Sequence, residues 1–587
     1  MDLAAGFSYC PGMPWGSAVL PNRGPYRRAL SLLVPAGATR RSKADYVLVL
    51  VLVAVAVLIY LPKLMAVVLV DHDDVISIMT ATCNQGNFIN SPLKGQWADV
   101  SQWQQYWRLD SHWCFGQIES DMVHYDIHPP FYFWVLHCWF VLFGVSLVSG
   151  LALNLVVVCL TAVIIYVTCR VLAVSGPLSF LATLAWTVSL PSRTAVGVIR
   201  QYSLFTMLAA VLLLVAILWL EKKQLRYLFG LCGVLAVGFL THFQFPIPAT
   251  VTVFCVAAIL WRRRAFVKIA QLVLAVVVAA VVFYVVEPGF MESVGRAHDQ
   301  AQSFTFPQLF QRTAAFIPTA LQLFNPLNWS HPLPYGLLDW AQPRYVVINL
   351  LSITIGVGAA YLVVSTVVRA IRSGPRGLDR WLTVRRLPIC AGVLCLLTIF
   401  AMYVSFISPV HAIGLQYLHF VTPFLFVGVA RMVQDRQDAQ DSPDFRWPRL
   451  VTGLPVVLLM CAVLSSALFV VHRSELEPVR DIAHADALIV DSDHEGVLPA
   501  ILWHADPSTK VFAASQDVIL AKHPDAGPAV AAHECYYVSS TAYENNRAKQ
   551  EQIRQWLRSL GHGDEAALRQ GVVPLIPLGG DIYRFTR

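Results

Sequence analysis

Three stretches of the chain, Tyr46 to Val70, Phe266 to Val286 and Val451 to Val471, carry almost no charge. Each holds the roughly 20 residues that a helix needs to cross a ~30 Å hydrocarbon core. Within that core every backbone N–H and C=O must be satisfied by the segment itself, so recurrent runs of this kind dictate a polytopic helical membrane protein. Composition agrees. Of 587 residues, 56% are hydrophobic and 13% charged, against roughly 25% charged in a soluble domain, which excludes a soluble globular fold. The net charge of +7 does not point to nucleic acid, because most Lys and Arg fall in short loops between apolar segments, where they set topology. The twelve cysteines show no CxxC or Cys/His spacing of a zinc site. Cys169, Cys232, Cys255, Cys395 and Cys461 sit in apolar stretches as small hydrophobes.

Charge orders the spans. The first 44 residues place Arg23, Arg27, Arg28, Arg40, Arg41 and Lys43 before the first apolar run and are expected in the cytoplasm. That run lacks a short apolar core with a small-residue cleavage site and reads as a retained helix. Basic clusters at Arg170, Lys222/Lys223/Arg226, Arg262 to Arg264, Arg369 to Arg386 and Arg431 to Arg449 are cytoplasmic by the same rule. Counting the aromatic run Phe131 to Phe143 as a span would put every later basic loop outside, so residues 129–146 read as a helix in the outer interface. Eleven spans remain, near 45–70, 148–172, 174–191, 202–220, 225–242, 244–261, 266–287, 344–368, 387–409, 415–432 and 450–471. The expected setting is the inner (plasma) membrane, with the carboxyl terminus outside.

Three large pieces are then extracytoplasmic: 71–147, 288–343 and 472–587. In the last, acids, His and Pro return. Short β-like runs (Ala487 to Val490, Lys510 to Ala513, Tyr536 to Ser539, Val572 to Ile576) alternate with helix-like stretches such as Glu544 to Leu560. This predicts a small α/β domain covering the outer face. No internal repeat is visible.

Chemistry gathers at the outer helix ends. The first span runs into Asp71-His72-Asp73-Asp74. If a helix starts there, Asp71 and Asp74 share a face while Asp73 points elsewhere. Capping of that helix is one role for these acids; a general base or a cation-binding pair at the lipid boundary is the other. Asp126-Ile127-His128-Pro129-Pro130 follows, whose prolines force an extended entry and then admit a helix, holding Asp126 and His128 at its mouth. Arg193 and Arg200-Gln201-Tyr202 lie outside, against the positive-inside trend. An Arg there either snorkels to lipid phosphate or captures a substrate phosphate. Trp97, Trp103, Tyr106, Trp107, Trp113 and Tyr125 suit an interfacial belt or stacking on sugar rings. Cys83 and Cys114 are placed to pair in an oxidising compartment. His242, His331, His411 and His419 lie near outer helix ends. Asp491-Ser492-Asp493-His494-Glu495 follows a strand ending at Val490, in the position of a solvated loop or a ligand crevice.

In these residues the chain resembles the polyprenyl-phosphate-sugar-dependent glycosyltransferases of the GT-C class, the superfamily of protein O-mannosyltransferases and lipid A aminoarabinose transferases. The likeness rests on His72-Asp73-Asp74-Val75-Ile76-Ser77, on Asp126-Ile127-His128-Pro129-Pro130-Phe131-Tyr132, on Arg200-Gln201-Tyr202, on Thr241-His242-Phe243, and on Leu415-Gln416-Tyr417 to Pro423. It spans the first 430 residues in order and departs at two points: Asp-Asp stands for the family's Asp-Glu, and Gln416 for its Arg.

The resemblance implies a GT-C fold and inverting transfer of a sugar from a polyprenyl-phosphate donor to a hydroxyl-bearing acceptor, a glycan, lipid or protein. By that likeness Asp73 is the general base and Asp74 the second acid of the pair, with Asp71 as a competing register. Arg200 holds the donor phosphate, with Arg193, His242 and Tyr202. Asp126 and His128 are adjacent. A divalent cation (Mg²⁺ or Mn²⁺) held by Asp73, Asp126 and His128 is compatible with these ligand types, although the resemblance implies none. A transporter or flippase of a lipid-linked sugar is the competing class, but such proteins carry repeated halves or ionisable groups at the bilayer midplane. A non-catalytic assembly factor with a degenerate site would share the fold without turnover. The sequence carries no signal of oligomeric state.

Overall fold

The structure is a computed structural model that describes residues 43–66, 70–292, 306–324, 382–405, 414–439 and 482–586, apart from 493, 495, 523–526, 541–546 and 569–579, with isolated positions 295, 354, 357, 361, 460 and 463. The spans expected at 344–368 and 450–471 fall almost wholly outside the described residues, as does the strand expected at Val572 to Ile576.

Five described helices are long and apolar enough to cross a membrane: Lys43–Pro62, Leu147–Val171, Tyr202–Lys222, Phe266–Val286 and Val384–Ser405. With the shorter apolar helices Leu225–Phe239 and Pro246–Arg262 they define a polytopic helical membrane protein. Their burial sorts them. The most apolar stretch of Tyr202–Lys222 is 83% buried and that of Phe266–Val286 only 17%. The first is the centre of the bundle and the second, with Val267, Leu274, Val281 and Val285 exposed, is a lipid-facing wall.

Two expected spans are built differently. The run at 174–191 breaks into the helices Gly176–Thr187 and Leu190–Val196, because Ser189 is extended and Pro191 stands in the first turn of the second helix. The run at 415–432 opens as a 3-10 turn, Leu415–Val421, before the helix Thr422–Ala439. The aromatic helix Phe131–Phe143 has 13 residues, about 20 Å at 1.5 Å each, too short to span.

The two ends of the bundle differ chemically. At one end Arg170 pairs with Asp45 at 3.0 Å, Arg386 with Asp435 at 2.7 Å, and buried Arg431 donates to the carbonyls of Leu172 and Ala173 at 2.9 and 3.1 Å. Guanidinium groups there satisfy the carbonyls that helix ends leave open. Asp71, Asp73, Asp74, Asp126, His128 and His242 gather at the opposite end, while His331 and His411 lie outside the described residues.

Among the described residues that end carries a six-stranded sheet of β1 (Trp97–Asp99), β2 (Ala487–Val490), β3 (Lys510–Ala513), β4 (Glu534–Ser540), β5 (Asp564–Leu568) and β6 (Gly580–Thr586), in the order β1-β3-β2-β4-β6-β5. β3, β2 and β4 are parallel, and β2 is buried throughout, as expected of a central strand covered on both faces. The helix Arg547–Ser559 packs its Ile553 and Leu557 into the core against Phe512, Tyr537 and Phe585. One strand is foreign to the tail: β1 comes from the loop after the first long helix and pairs antiparallel with β3, Ala98 opposite Val511. In the same loop Cys83 and Cys114 form a disulfide, closing a loop of a size for which cross-linking contributes about 3–4 kcal/mol.

Candidate active site

The helix His72–Ala81 begins one residue after the membrane helix segment ends its apolar run, and its first turn divides the three acids by role. Asp71 is the N-cap, its carboxylate accepting the backbone N–H of His72 at 2.8 Å. Asp74, three residues on, completes a capping box by accepting the Asp71 N–H at 3.2 Å. The other Asp74 oxygen accepts the N–H of Ile199 at 2.6 Å, which ties this helix to the loop that carries Arg200. Burial and then the neighbouring Asp71 carboxylate push the Asp74 carboxyl up to about 8. Asp73, at the second position of the turn, takes no part in the cap and points away, as the helical spacing predicts.

Arg200 bridges two carboxylates. Its Nη2 lies 3.1 Å from Asp73 and its Nη1 3.4 Å from Asp126. Asp126 in turn accepts from His128 Nδ1 and from the Ile127 N–H, both at 2.6 Å. Burial alone would raise both carboxyls, but opposing charge prevails. Arg200 and His72 hold Asp73, and His128 and Arg200 hold Asp126, well below the usual carboxylate range. Accessibility separates the members: the side chains of Arg200 and Asp126 are 5% and 8% exposed and that of Asp73 30%. Asp73 is the acid of this network open to a ligand.

Next to Arg200 lies an aromatic and imidazole wall. The two prolines place Phe131 at the start of its helix, where its N–H donates to the Leu240 carbonyl at 3.0 Å, docking the His128 turn on the Thr241-His242 turn. His242 stacks on Phe205 at 4.8 Å and meets His128 and Tyr202 at 5.8 and 5.6 Å. Tyr202 meets Tyr417 edge-on at 5.8 Å. The backbone N–H of Gln244 donates to His242 Nδ1 at 3.0 Å, so a neutral His242 carries its proton on Nε2. That Nε2 and the Nε of Arg200 are both buried without a hydrogen-bond partner. Two N–H donors left unpaired in a buried wall call for an acceptor.

Asp71, Asp73, Asp74, Asp126, His128, Arg200, Tyr202 and His242 therefore converge. Arg193 is buried on the helix Leu190–Val196. Among the described residues, the group of three candidate metal ligands whose donor atoms lie within 4.8 Å is Cys83, Cys114 and His137, and the disulfide consumes two of those. Asp73 and Asp126 are held by the Arg200 guanidinium and His128 by Asp126, and the three are not such a group among the described residues.

Two positioning residues escape the motif reading. Asn154, fully buried in the helix Leu147–Val171, donates to the Val198 carbonyl and accepts from Ser203 at 2.7 Å and Tyr132 at 3.3 Å. It joins the His128 helix, the Arg200 loop and the central helix at one amide. A lone amide in an apolar run is its sequence signal. Gly150, one turn earlier, lies against Ile199, whose methyl stands 2.5 Å from where a Cβ would project, so the loop seats closely on that helix. His494 lies in the Asp491-to-Glu495 cluster that the sequence offered as a solvated loop or a ligand crevice, and the structure sets its ring on His72.

Residues 127–286 match the family model for dolichyl-phosphate-mannose-protein mannosyltransferases. That segment contains His128, Arg200 and His242. No curated protein sequence matches the chain. Among solved structures the chain is similar to ArnT from Cupriavidus metallidurans bound to undecaprenyl phosphate, with 13% identity over 92% of this chain and 98% of that one and a TM-score of 0.39. The apo state of the same protein matches at 14% identity, with the same coverage and a TM-score of 0.35. The arabinosyltransferase EmbB from Mycobacterium smegmatis matches at 12% identity, over 76% of this chain and 43% of that one, with a TM-score of 0.33. The class is thus a polytopic helical membrane protein with a carboxylate–guanidinium–imidazole site at one end of its bundle. Its central segment resembles the dolichyl-phosphate-mannose-protein mannosyltransferases.

Proposed function

We propose that this chain is an inverting GT-C glycosyltransferase that moves a sugar from a polyprenyl-phosphate-linked monosaccharide to a hydroxyl of an extracytoplasmic acceptor. The observation that carries the reading is Arg200, clamped between Asp73 and Asp126 with its Nε–H unpaired, in the same wall as His242, whose Nε2–H is also unpaired. Those donors suit a phosphate, and the exposed Asp73 carboxylate beside them suits the hydroxyl that attacks the adjacent anomeric carbon. A site at a helix end also suits a donor whose tail stays in lipid.

The chemistry balances without a further reactant. Asp73 takes the proton of the acceptor hydroxyl, the oxygen forms a bond to C1, and the C1–O bond to phosphate breaks with inversion. The departing polyprenyl phosphate gains a negative charge, which Arg200 and His242 stabilise. Arg200 already bridges the carboxylates that a cation would otherwise bridge, and the reaction is read as independent of Mg²⁺ or Mn²⁺. In the resting site Arg200 also keeps Asp73 a weak base. A donor phosphate that draws the guanidinium toward itself loosens that pair and raises the basicity of Asp73, so the donor binds first. The sheet domain, on the same side as the acids, is read as the acceptor-facing lid, and that side as extracytoplasmic.

The test is turnover by the purified protein in nanodiscs with a panel of polyprenyl-phosphate pentoses and hexoses. Release of polyprenyl phosphate with transfer to a hydroxyl acceptor is expected. Donor carried across the bilayer without cleavage would assign the protein to the flippases instead.

A further inference from the structure

The tail sheet turns the carboxyl ends of its parallel strands toward the acids. β2 ends at Val490, and the loop that follows carries His494 onto the His72 ring, with centroids 5.6 Å apart and planes inclined by 17°. In open α/β sheets such strand ends form the ligand crevice. Within it the His494 N–H donates to Ser492 Oγ at 3.3 Å, and the Gly496 N–H donates to His494 Nδ1 at 3.1 Å. Gly496 lies so close to His72 that a Cβ there would overlap the Cδ2 edge of the ring. His72 thereby packs against the loop, its side chain 22% exposed and its Nε2 buried and without a partner. Its other ring nitrogen, Nδ1, stands 3.4 Å from Asp73 Oδ1.

The seat of the tail does not depend on this contact. β1 pairs with β3, the Val100 and Ser101 N–H groups donate to the Thr509 and Pro507 carbonyls at 3.0 Å each, and Trp107 stacks on Trp503 at 5.8 Å. Asp493 and Glu495 lie outside the described residues.

We infer that His494 is a positioning residue supplied by the tail: it holds the His72 imidazole against Asp73, so that the base is aimed only while the loop after β2 is seated. The inference rests on the glycosyltransferase reading of the Asp73 site. It places a part of the base's support more than 400 residues away in the chain, on the element that faces the acceptor.

The experiment uses the full chain in nanodiscs with His494→Ala, His494→Phe and Gly496→Val, the same donor panel for turnover, and polyprenyl phosphate alone for affinity. His494→Ala is expected to lower kcat about tenfold or more, by 1.4 kcal/mol per factor of ten, with polyprenyl phosphate affinity and Tm unchanged. His494→Phe, which keeps the stacking face, restores most of the rate, and Gly496→Val repeats the loss by displacing the ring. An interface that only packs would lose Tm along with rate and would show no such split. Wild-type kcat in His494→Ala, or a loss that tracks weaker polyprenyl phosphate binding, overturns the inference. A second arm needs no turnover: carbethoxylation of His72 by diethyl pyrocarbonate, mapped by mass spectrometry, is expected to be slow in the wild type and His494→Phe and fast in His494→Ala. Equal labelling in all three overturns the contact itself. If the wild type cleaves no donor while the labelling differs as expected, it is the glycosyltransferase reading that has failed and not the His494 to His72 contact.

Discussion

An Asp74 side-chain oxygen accepts the backbone N–H of Ile199 at 2.6 Å across 125 residues of chain, and the next residue along is Arg200. One buried oxygen thus sets where the guanidinium stands. Replacing Asp74 by Ala leaves that N–H unpaired, a cost of about 1–3 kcal/mol, and releases the Arg200 loop. Asp74→Ala is expected to lower Tm and weaken polyprenyl phosphate binding together. Asp71→Ala removes only the N-cap, about 1 kcal/mol, with kcat retained. Thermal unfolding and binding isotherms check both; donor affinity untouched in Asp74→Ala would break the link drawn here.

Asp73 is the network's exposed acid, and Asp73→Asn keeps its volume while abolishing its basicity. Turnover is expected to fall by at least a hundredfold, within the usual range for a general base, while polyprenyl phosphate binds as well or better because Arg200 has lost a competitor. Single-turnover kinetics with labelled donor measure the first and equilibrium binding the second. Full activity in this variant, paired with loss in Asp71→Asn, would move the base by two residues.

Arg200→Lys retains a charge but gives up the fork that reaches Asp73 and Asp126 at once. Partial activity is expected, with kcat and donor affinity both reduced, and Arg200→Ala is expected to be worse in both. An Arg200→Ala protein with ordinary donor affinity would show that the anion is held elsewhere.

Stability depends on pH with opposite signs at the two structural acids. The Asp126 carboxyl is depressed in the folded protein, so its stabilisation is present above the ordinary carboxylate value near 4 and is lost as pH falls through its folded pKa. The Tm gap between wild type and Asp126→Asn is therefore expected to be constant from pH 8 to 5 and to close below about 4. Asp74, pushed up to about 8, works the other way. Its folded form keeps a proton that the unfolded chain has lost, so stability falls as pH rises from ~4 toward 8, by at most about 1.4 kcal/mol per unit. Relative to Asp74→Asn, the wild type is expected to lose Tm over that interval, and parallel curves would contradict it.

Chelation tests the role given to Arg200. Because the guanidinium already neutralises Asp73 and Asp126, EDTA is expected to leave turnover unchanged. Loss of activity restored by Mg²⁺ or Mn²⁺ would require those carboxylates to trade Arg200 for a metal.

What the sequence by itself determined follows from short-range rules. Apolar run length dictates the membrane helices, the distribution of Lys and Arg separates the two bundle ends, and the two prolines after His128 place that turn, because each depends on neighbours in the chain. The break at Ser189 and Pro191 was present as a helix-start signal but was hidden inside a continuous apolar run. The division of labour among Asp71, Asp73 and Asp74 was half legible: helical spacing puts the first and third on one face, but only Ile199, brought from 125 residues away, shows that Asp74 is spent on structure. The rest needed the tertiary fold. Arg200 between two acids, the Asn154 amide that joins three elements, the strand β1 that leaves its loop to enter the tail sheet, and the His494 ring on His72 are all pairings between distant segments. They arise because burial forces each polar group to find whichever partner packing delivers, and local sequence does not encode which one that will be.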